Sequence, residues 1–293
     1  MKKVLWTMIF CLMVSVCQGF ETFPVWPSTP PGDTPDQYKE NGGKYYTPTL
    51  EWWKPENKTT DVCIVICCGG AYMGVAYEYE GIMPRDYFLK KGITVVMLRY
   101  RTPRRPNIPK HQAAWQDVQR TIRFVRSHAK DWGISPEKIG VMGFSAGGHL
   151  TLMCATTSQT NAYPPVDELD KVPCNPNFAI PIYPAYVLED GKDSTNSGKG
   201  NDSKIVSDFA FDAKTPPMCF IHGDGDGYSP MGSVAVYHKL RKMNIPAELH
   251  IFALANHAFR NCGPQAPIRR YPERVVDWLG TMGFIPEAAS PNK

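Results

Sequence analysis

The stretch "GFSAG", residues 143–147, has the G-x-S-x-G pattern of a nucleophile elbow, the tight strand-to-helix turn that exposes a serine hydroxyl. An apolar run precedes it at residues 139–142, and helix-forming residues follow it. Glycines are needed two positions before and after the serine, because side chains there would collide with the neighbouring backbone. We therefore predict that Ser145 is a nucleophile for acyl transfer, with a helix N-terminus directed at its hydroxyl. The alternative is an ordinary strand-to-helix turn that contains a serine.

A serine at neutral pH needs a general base, so the histidines that follow in the chain are the candidates. Four lie well beyond Ser145, namely His222, His238, His250 and His257. His238 falls in a predicted helix and His250 in a predicted strand, which keeps both from the carboxyl edge of a parallel sheet. His222 ends a strand but precedes the expected acid. His257 follows the predicted strand "AELHIFAL" and is our predicted base; the alternative is a loop histidine with no chemical role.

The acid that orients the base is expected in the loop before the histidine strand, because the order serine, acid, histidine accompanies the elbow. The loop "GDGDG", residues 223–227, offers Asp224 and Asp226. Its glycines allow a tight turn from which either carboxylate could approach His257. We favour Asp226, since turn aspartates commonly accept hydrogen bonds from turn amides and Asp224 suits that role. Asp224 remains the alternative acid.

The oxyanion that forms during acyl transfer needs hydrogen-bond donors. The backbone N–H of Ala146, directly after the serine, is one predicted donor. The second is expected in the loop "CCGGAY", residues 67–72, which ends an earlier strand. Its two glycines would let the amides of Gly70 and Ala71 turn inward, although an ordinary Gly-Gly turn is the alternative.

Strands and helices alternate along the chain and would position these residues. Seven runs predict strands, namely "TPTLEWWKP", "DVCIVICC", "ITVVMLRY", "EKIGVMGF", "FAIPIYP", "PPMCFIHG" and "AELHIFAL". Helices are predicted at about residues 80–91, 110–133, 145–157, 231–243 and 268–282. This alternation predicts an α/β fold, a doubly wound and mostly parallel sheet with helices on both faces. We expect one catalytic domain over residues 20–293.

Two segments interrupt the alternation. Residues 20–45 are rich in proline and glycine and are expected to form an extended arm over the domain. Residues 188–214 are rich in Gly, Ser, Asn and Asp and are expected to form a loop or partly helical insertion. This insertion lies between two predicted sheet strands, which places it over the carboxyl edge of the sheet.

The composition is that of a globular protein with a sizeable core. The chain has 293 residues, of which 43% are hydrophobic and 20% charged, with a formal net charge of +4. Removal of Lys2 and Lys3 with a leader segment would leave about +2. This balance and the lack of a long Lys/Arg cluster argue against a nucleic-acid partner.

The N-terminus "MKKVLWTMIFCLMVSVCQG" has two lysines, an apolar run and small residues before a possible cut after Gly19. We predict that residues 1–19 are a secretory signal peptide, which makes the mature chain secreted or periplasmic. An uncleaved membrane anchor and a lipoprotein anchor through Cys17 are the alternatives. The apolar run is short for a membrane span, and no later segment is long enough for one.

Two of the nine cysteines lie in the predicted signal peptide, which leaves an odd number that cannot all pair within the chain. Cys63, Cys67 and Cys219 lie in apolar predicted strands, where a free cysteine behaves as a small hydrophobe. Only Cys174 and Cys262 fall in predicted loops and could form a disulfide. The spacings do not resemble a zinc site, and we expect no metal.

Together these motifs resemble the α/β-hydrolase superfamily, in particular the secreted bacterial carbohydrate esterases of the acetyl-xylan and feruloyl type. The resemblance covers nearly the whole chain after residue 19. It rests on the stretches "CCGGAYMGVAYEYEG", "VVMLRYR", "AAWQDVQRTIRFVRSHAKDWGISPEKIGVMGFSAGGHL", "HGDGDGYSP" and "ANHAF". Where the family usually has Pro-Gly-Gly-Gly-Tyr, this chain has Cys68 for the proline and Ala71 for the third glycine. The segment around His257 also lacks its usual glycines.

The resemblance implies an α/β-hydrolase fold and hydrolysis of acyl esters, most readily acetyl esters, on plant polysaccharide such as xylan, with no metal or organic cofactor. It places the acid three residues after the Gly of the family's His-Gly, which here is Asp226. Tyr72, Tyr228 and Asn256 flank the motifs and are predicted to line the substrate site; packing is an equal alternative for the tyrosines. The rival functions are a feruloyl esterase, a small-molecule esterase, lipase or amidase, and a non-catalytic sugar-binding module.

Overall fold

The structure is a computed structural model that describes residues 19–189 and 204–286. Residues 1–18, which are all but the last residue of the predicted signal peptide, lie outside the described residues. The middle of the predicted insertion, residues 190–203, also lies outside them. The described ends of the insertion meet in one antiparallel bridge between Leu188 and Ile205.

Within the described ranges, eight strands and five α-helices form the fold. The strands are β1 (Phe20–Pro24), β2 (Thr49–Trp53), β3 (Cys63–Cys67), β4 (Thr94–Arg99), β5 (Ile139–Phe144), β6 (Phe178–Ile182), β7 (Met218–Gly223) and β8 (Ala247–Phe252). The helices are α1 (Ile82–Lys90), α2 (Gln112–Ser127), α3 (Ala146–Thr156), α4 (Met231–Lys242) and α5 (Tyr271–Thr281). None of the described helices is long and apolar enough to cross a bilayer.

The strands form a single sheet in the order β1-β2-β4-β3-β5-β6-β7-β8. β3 to β8 run parallel to one another, and β2 and β1 are added antiparallel at one edge. From β3 the chain first adds β4 on one side and then returns to add β5 on the other. The order of addition thus reverses between β3 and β5, and ligands of such sheets bind at the carboxyl ends of the strands beside this point.

Both faces of the sheet are covered, which explains why the central strands are continuous apolar runs. β3, β5, β6 and β7 are buried at every residue. One face packs against α2, α3 and α4, and the other against α1 and α5. The predicted doubly wound α/β fold is therefore confirmed, and the burial of both faces is its physical cause.

Three local expectations differ from the structure. Residues 20–24 of the expected arm form β1, because a strand at the sheet edge pairs with β2 and stacks Phe20 on Trp53 at 4.2 Å. The helix expected to reach Gly133 ends at Ser127, and turns continue to Gly133, where φ is +63°. The first predicted helix begins with a wide turn, Tyr77–Gly81, before α1.

The suggested disulfide between Cys174 and Cys262 is wrong. All seven cysteines among the described residues are free thiols. Cys174 precedes the amino end of β6, whereas Cys262 follows the loop after the carboxyl end of β8. The two residues therefore belong to opposite edges of the parallel sheet and cannot approach within the 7 Å that a disulfide requires between Cα atoms.

Candidate active site

Ser145 occupies a strained turn between β5 and α3. Its backbone has φ 53° and ψ −116°, a combination that an L-residue adopts only when its surroundings enforce it. Close packing provides that enforcement: a Cβ on Gly143 would lie 2.1 Å from the carbonyl oxygen of Gly147. A Cβ on Gly147 would lie 2.0 Å from the carbonyl oxygen of Cys67 in β3. The glycines of the pattern are thus required by contact with the neighbouring strand and turn.

Ser145, His257 and Asp226 form one hydrogen-bonded chain, which the structure assembles from three loops at the carboxyl edge. The Oγ atom of Ser145 lies 2.8 Å from Nε2 of His257. The Nδ1 atom of His257 lies 2.8 Å and 3.0 Å from the two carboxylate oxygens of Asp226. The carboxylate fixes the proton on Nδ1, since an ionised carboxylate only accepts hydrogen bonds. The Nε2 lone pair is therefore free to accept the serine proton.

The carboxylate of Asp226 is fully buried and remains ionised. Burial alone would raise its pKa, but hydrogen bonds and charge interactions with His222 and His257 outweigh this and hold the pKa below its ordinary value. The backbone N–H of Tyr228 donates a further hydrogen bond of 2.8 Å to Oδ1. Asp224, the alternative acid, is exposed and its own N–H donates to the carbonyl of Phe252. Asp226, and not Asp224, contacts His257.

The predicted oxyanion donors lie on two neighbouring strand ends: Ala146 directly follows Ser145 after β5, and Gly70 and Ala71 belong to the loop after β3, which pairs with β5. Ala146 is the first residue of α3, so the helix offers no acceptor for its N–H. The amides of Gly70 and Ala71 donate no hydrogen bond within the described part of the chain. Gly70 has φ +131° and Ala71 has φ +54°. The alanine that stands for a family glycine thus adopts the left-handed conformation at a cost of about 1 kcal/mol.

The three predicted substrate-lining residues have different environments. Tyr228 is half-buried, and its ring centroid lies 4.8 Å from that of His257, which fits the prediction. Tyr72 is fully buried and its hydroxyl hydrogen-bonds Nδ1 of His149 at 2.9 Å, so the prediction for Tyr72 is wrong. Its backbone has a φ of +59°, and its ring lies in the buried core. Asn256 binds Asn261 through reciprocal side chain–backbone hydrogen bonds and thereby closes the histidine loop.

Two buried residues beside the site were not predicted from the sequence. His222 is fully buried and its Nε2 lies 3.6 Å from Oδ2 of Asp226. Glu80 is buried beside the oxyanion loop and accepts a hydrogen bond from Gly69. His222 lies in the motif "HGDGDG" and Glu80 in the motif "EYEG". A titratable residue inside each motif was the sequence feature that could have indicated these roles.

Two side-chain groups in the described ranges could hold a metal ion, since their ligand atoms lie within 4.8 Å of one another. They are His111, His149 and Asp208, and Cys219, Glu248 and His250. In the first group, Nε2 of His149 and Nδ1 of His111 are buried without a hydrogen-bond partner. Burial and the nearby charge of Lys110 lower the pKa of His149, and the same positive charge opposes a bound cation. Neither group includes a residue of the Ser145–His257–Asp226 chain.

Comparison with known proteins relates this arrangement to esterases. Residues 50–182 match the BD-FAE family. The chain is 30% identical over 220 residues to an acetylxylan esterase of Xylanibacter ruminicola, covering 70% of this chain and 42% of that protein. It is 27% identical over 115 residues to endo-1,4-beta-xylanase B of Butyrivibrio fibrisolvens, covering 39% of this chain and 18% of that protein. The chain thus spans less than half the length of these two relatives.

Solved structures share the fold over almost their whole length. An acetyl ester-xyloside bifunctional hydrolase of Caldicellulosiruptor lactoaceticus superposes with a TM-score of 0.71 and 26% identity, covering 90% of this chain and 97% of that one. Esterase 2 of Thermogutta terrifontis with bound propionate has a TM-score of 0.70 and 24% identity, covering 93% and 97%. These neighbours and the strand order identify the sheet as that of an α/β hydrolase.

Proposed function

We propose that the chain is a serine hydrolase of carboxylic esters, of the BD-FAE type that residues 50–182 match. The observation that carries the proposal is the unbroken hydrogen-bonded chain from the Oγ atom of Ser145 through His257 to Asp226. Nucleophile, base and orienting acid are each within 3.0 Å of the next group, which is the geometry that serine acyl transfer requires.

The geometry supports the following sequence of steps. Ser145 Oγ attacks the ester carbonyl while Nε2 of His257 accepts the hydroxyl proton. The amides of Ala146, Gly70 and Ala71 are available to stabilise the oxyanion of the tetrahedral intermediate. The C–O bond to the alcohol then breaks, and His257 returns the proton to the departing alkoxide. His257 then takes a proton from water as the water attacks the acyl carbon. The bond from this carbon to Oγ breaks, His257 returns the proton to Oγ, and the carboxylic acid leaves.

We propose that the substrate is an acetylated plant polysaccharide such as xylan. Two matched proteins, the acetylxylan esterase and the acetyl ester-xyloside hydrolase, support this choice. The exposure of the site supports it too. Ser145 itself is 8% exposed, but the side chain of His257, which contacts its Oγ atom, is 30% exposed, so the site opens to solvent on the side from which an ester on a large polymer would approach.

A feruloyl ester is the second candidate substrate, and two tyrosines favour it. The half-buried Tyr228 ring lies tilted beside His257, with centroids 4.8 Å apart, and the buried Tyr186 packs edge-on behind it at 5.6 Å. An aromatic acyl group could stack on such a surface, at a gain of about 0.5–1.5 kcal/mol beyond its buried area. Acetyl esters would gain nothing from this surface.

The first experiment measures acid release from acetylated xylan, methyl ferulate and p-nitrophenyl acetate by residues 20–293. We expect acetate release from xylan. In Ser145→Ala the rate of release should fall by roughly 1,000-fold or more. Ser127→Ala, which removes a hydroxyl at the exposed end of α2, is the matched control and should keep full activity. Ferulate release alone would favour the second substrate. Equal rates for wild type and Ser145→Ala would overturn the proposed function.

We also propose that residues 1–19 direct export and are removed. The lysine pair and apolar run of the N-terminus support this. N-terminal sequencing of protein recovered from the medium or periplasm should then begin at Phe20. Recovery of the intact N-terminus in the membrane fraction would favour an anchor instead.

A further inference from the structure

Glu80 is a buried carboxylate whose two oxygens join opposite sides of the candidate site. Oε2 accepts a hydrogen bond of 2.5 Å from the backbone N–H of Gly69, at the start of the oxyanion loop. Oε1 accepts a hydrogen bond of 3.0 Å from the hydroxyl of Tyr183, which follows β6. The residue is 6% exposed. In the described part of the chain, neither oxygen of Glu80 pairs with a buried cation. The hydrogen-bond partners of the carboxylate are two neutral groups, the Gly69 amide and the Tyr183 hydroxyl.

The Gly69 side of this link lies against the nucleophile. A Cβ placed on Gly69 would lie 2.8 Å from Oε2 of Glu80 and also 2.8 Å from Cβ of Ser145. The carboxylate therefore approaches the peptide that leads into the oxyanion loop on the side that faces the serine. Gly70 and Ala71, whose amides donate to no acceptor in residues 19–189 and 204–286, follow immediately. Any rotation of the Gly69 peptide would move both of these amides.

Backbone hydrogen bonds also connect the start of the oxyanion loop, Gly69, to Glu80. The N–H of Ala76 donates to the carbonyl of Gly69 at 2.8 Å, and the N–H of Glu80 donates to the carbonyl of Ala76 at 2.9 Å. The side chain of Glu80 then returns to Gly69. Residues 69–80 thus form a ring of hydrogen bonds whose last member is the carboxylate.

The Tyr183 side of the link lies against the base. The Tyr183 ring packs edge-on against the His257 ring, with centroids 5.1 Å apart, and against Phe259 at 4.7 Å. The φ of Tyr183 is +35°, an unusual value for a bulky residue, so its position depends on contacts such as the hydrogen bond to Glu80. One side chain therefore constrains both the oxyanion loop and a ring that supports the imidazole.

The burial of the Glu80 carboxylate costs desolvation free energy, so packing alone does not explain why a glutamate occupies this position. Desolvation raises the pKa of this carboxyl above its ordinary value, against the hydrogen bonds and the charges of His257 and Arg260 that lower it. A buried carboxylate near a developing oxyanion is also electrostatically unfavourable. An apolar residue would avoid both costs, so the two hydrogen bonds are the feature that distinguishes glutamate here.

We propose that Glu80 is a positioning residue that sets the oxyanion loop and the Tyr183–His257 contact for catalysis. The proposal rests on the proposed esterase function. Glu80 contacts no reacting atom and acts through Gly69 and Tyr183. Its length matters more than its charge, because a glutamine can accept from the Gly69 amide and donate to the Tyr183 oxygen, whereas an aspartate is one methylene too short to reach both.

The test compares Glu80→Gln, Glu80→Asp and Glu80→Ala in hydrolysis of p-nitrophenyl acetate. We expect Glu80→Gln to keep kcat within about 5-fold, and Glu80→Asp and Glu80→Ala to lose about 30- to 100-fold in kcat. KM should change less than about threefold, because positioning of the oxyanion donors acts on the transition state. The affinity for a trifluoromethyl ketone, whose hemiketal mimics the oxyanion, should fall by a factor similar to that of kcat.

Asp170→Ala is the control, because Asp170 is also a buried carboxylate that accepts from a tyrosine hydroxyl and from backbone amides, and it lies away from the site, where it also pairs with Arg120. It should lower stability without lowering kcat at temperatures where it is folded. If Glu80→Asp is active and Glu80→Gln is not, charge rather than position is what matters, and the proposal is overturned. Unchanged kcat in all three Glu80 variants would also overturn it. If wild type itself lacks Ser145-dependent activity, the esterase function fails instead.

Discussion

The Nε2 atom of His222 lies 3.6 Å from Oδ2 of Asp226, the oxygen that is 2.8 Å from Nδ1 of His257. The Nε2–H of His222 also donates to the carbonyl of Tyr228 at 2.9 Å, and its Nδ1 hydrogen-bonds the hydroxyl of Ser233 at 2.8 Å. Two imidazoles therefore flank one carboxylate. The carbonyl of Tyr228 fixes a proton on Nε2 of His222, on the side directed towards the acid loop.

Substitution of His222 should impair catalysis through the acid. In His222→Gln we expect kcat for p-nitrophenyl acetate to fall about 10-fold, because Asp226 loses a polar neighbour that favours its ionised form. His250→Gln is the matched control, since His250 also pairs with a carboxylate, Glu248, at 2.6 Å but in the edge strand. Equal kcat values for the two variants would contradict this role of His222.

The two aspartates of the acid loop should differ sharply on substitution. We expect Asp226→Asn to lower kcat by roughly 1,000- to 10,000-fold, because an amide can donate to Nδ1 and so favours the wrong imidazole tautomer. Asp224→Asn should stay within about twofold, because the exposed Asp224 does not contact His257. Steady-state kinetics with circular dichroism as the folding control decide the point. A larger loss in Asp224→Asn would mean that the acid was assigned to the wrong residue.

Gly147 should tolerate no side chain. A Cβ there would lie 2.0 Å from the carbonyl oxygen of Cys67, a backbone atom of the central strand that cannot move aside. We expect Gly147→Ala to lower the free energy of unfolding by about 2–4 kcal/mol or to prevent folding. Gly227→Ala, in the acid loop, is the control because its Cβ would meet nothing within 4 Å. Urea unfolding measures both, and equal stabilities would refute the steric argument.

Asp33 should make stability depend on pH. Its side chain is 3% exposed and pairs with Arg105 at 2.6 Å and Arg101 at 3.1 Å. Burial alone would raise its pKa, but these arginines and Tyr38 hold the pKa below its ordinary value. The stabilisation is therefore present above the unfolded-state pKa of about 3.9 and is lost as the pH falls through the lower folded-state value.

In Asp33→Asn we accordingly expect the free energy of unfolding at pH 7 to fall by about 3–5 kcal/mol, because two buried guanidinium groups lose a counter-ion. The difference from wild type should shrink as the pH is lowered towards 3. Asp36→Asn, three residues on and exposed, should change little at any pH. Urea unfolding across this range gives the answer, and a difference that grows on acidification would reverse the sign of the argument.

The sequence predicted those features that depend on local pattern and chain order. The elbow glycines, the burial of the central strands and the order of Ser145, Asp226 and His257 all follow from such patterns. The prediction for Tyr72 is wrong because proximity in sequence to the oxyanion loop does not determine the direction of the ring, which packs into the core against His149. His222 was considered only as a base and set aside, and Glu80 was not considered, because the roles of both depend on contacts between loops that only the folded sheet edge brings together.

The hydrogen bond between Tyr72 and His149 connects the oxyanion loop to the helix that follows the nucleophile. Tyr72 belongs to the loop after β3, and His149 belongs to α3. The backbone N–H of His149 donates a hydrogen bond of 3.0 Å to the carbonyl of Ser145. Their hydrogen bond, wholly buried, fastens the loop to the nucleophile helix. On heating, the active site should therefore not unfold before the rest of the protein. Loss of enzymatic activity and unfolding of the sheet should occur at the same temperature.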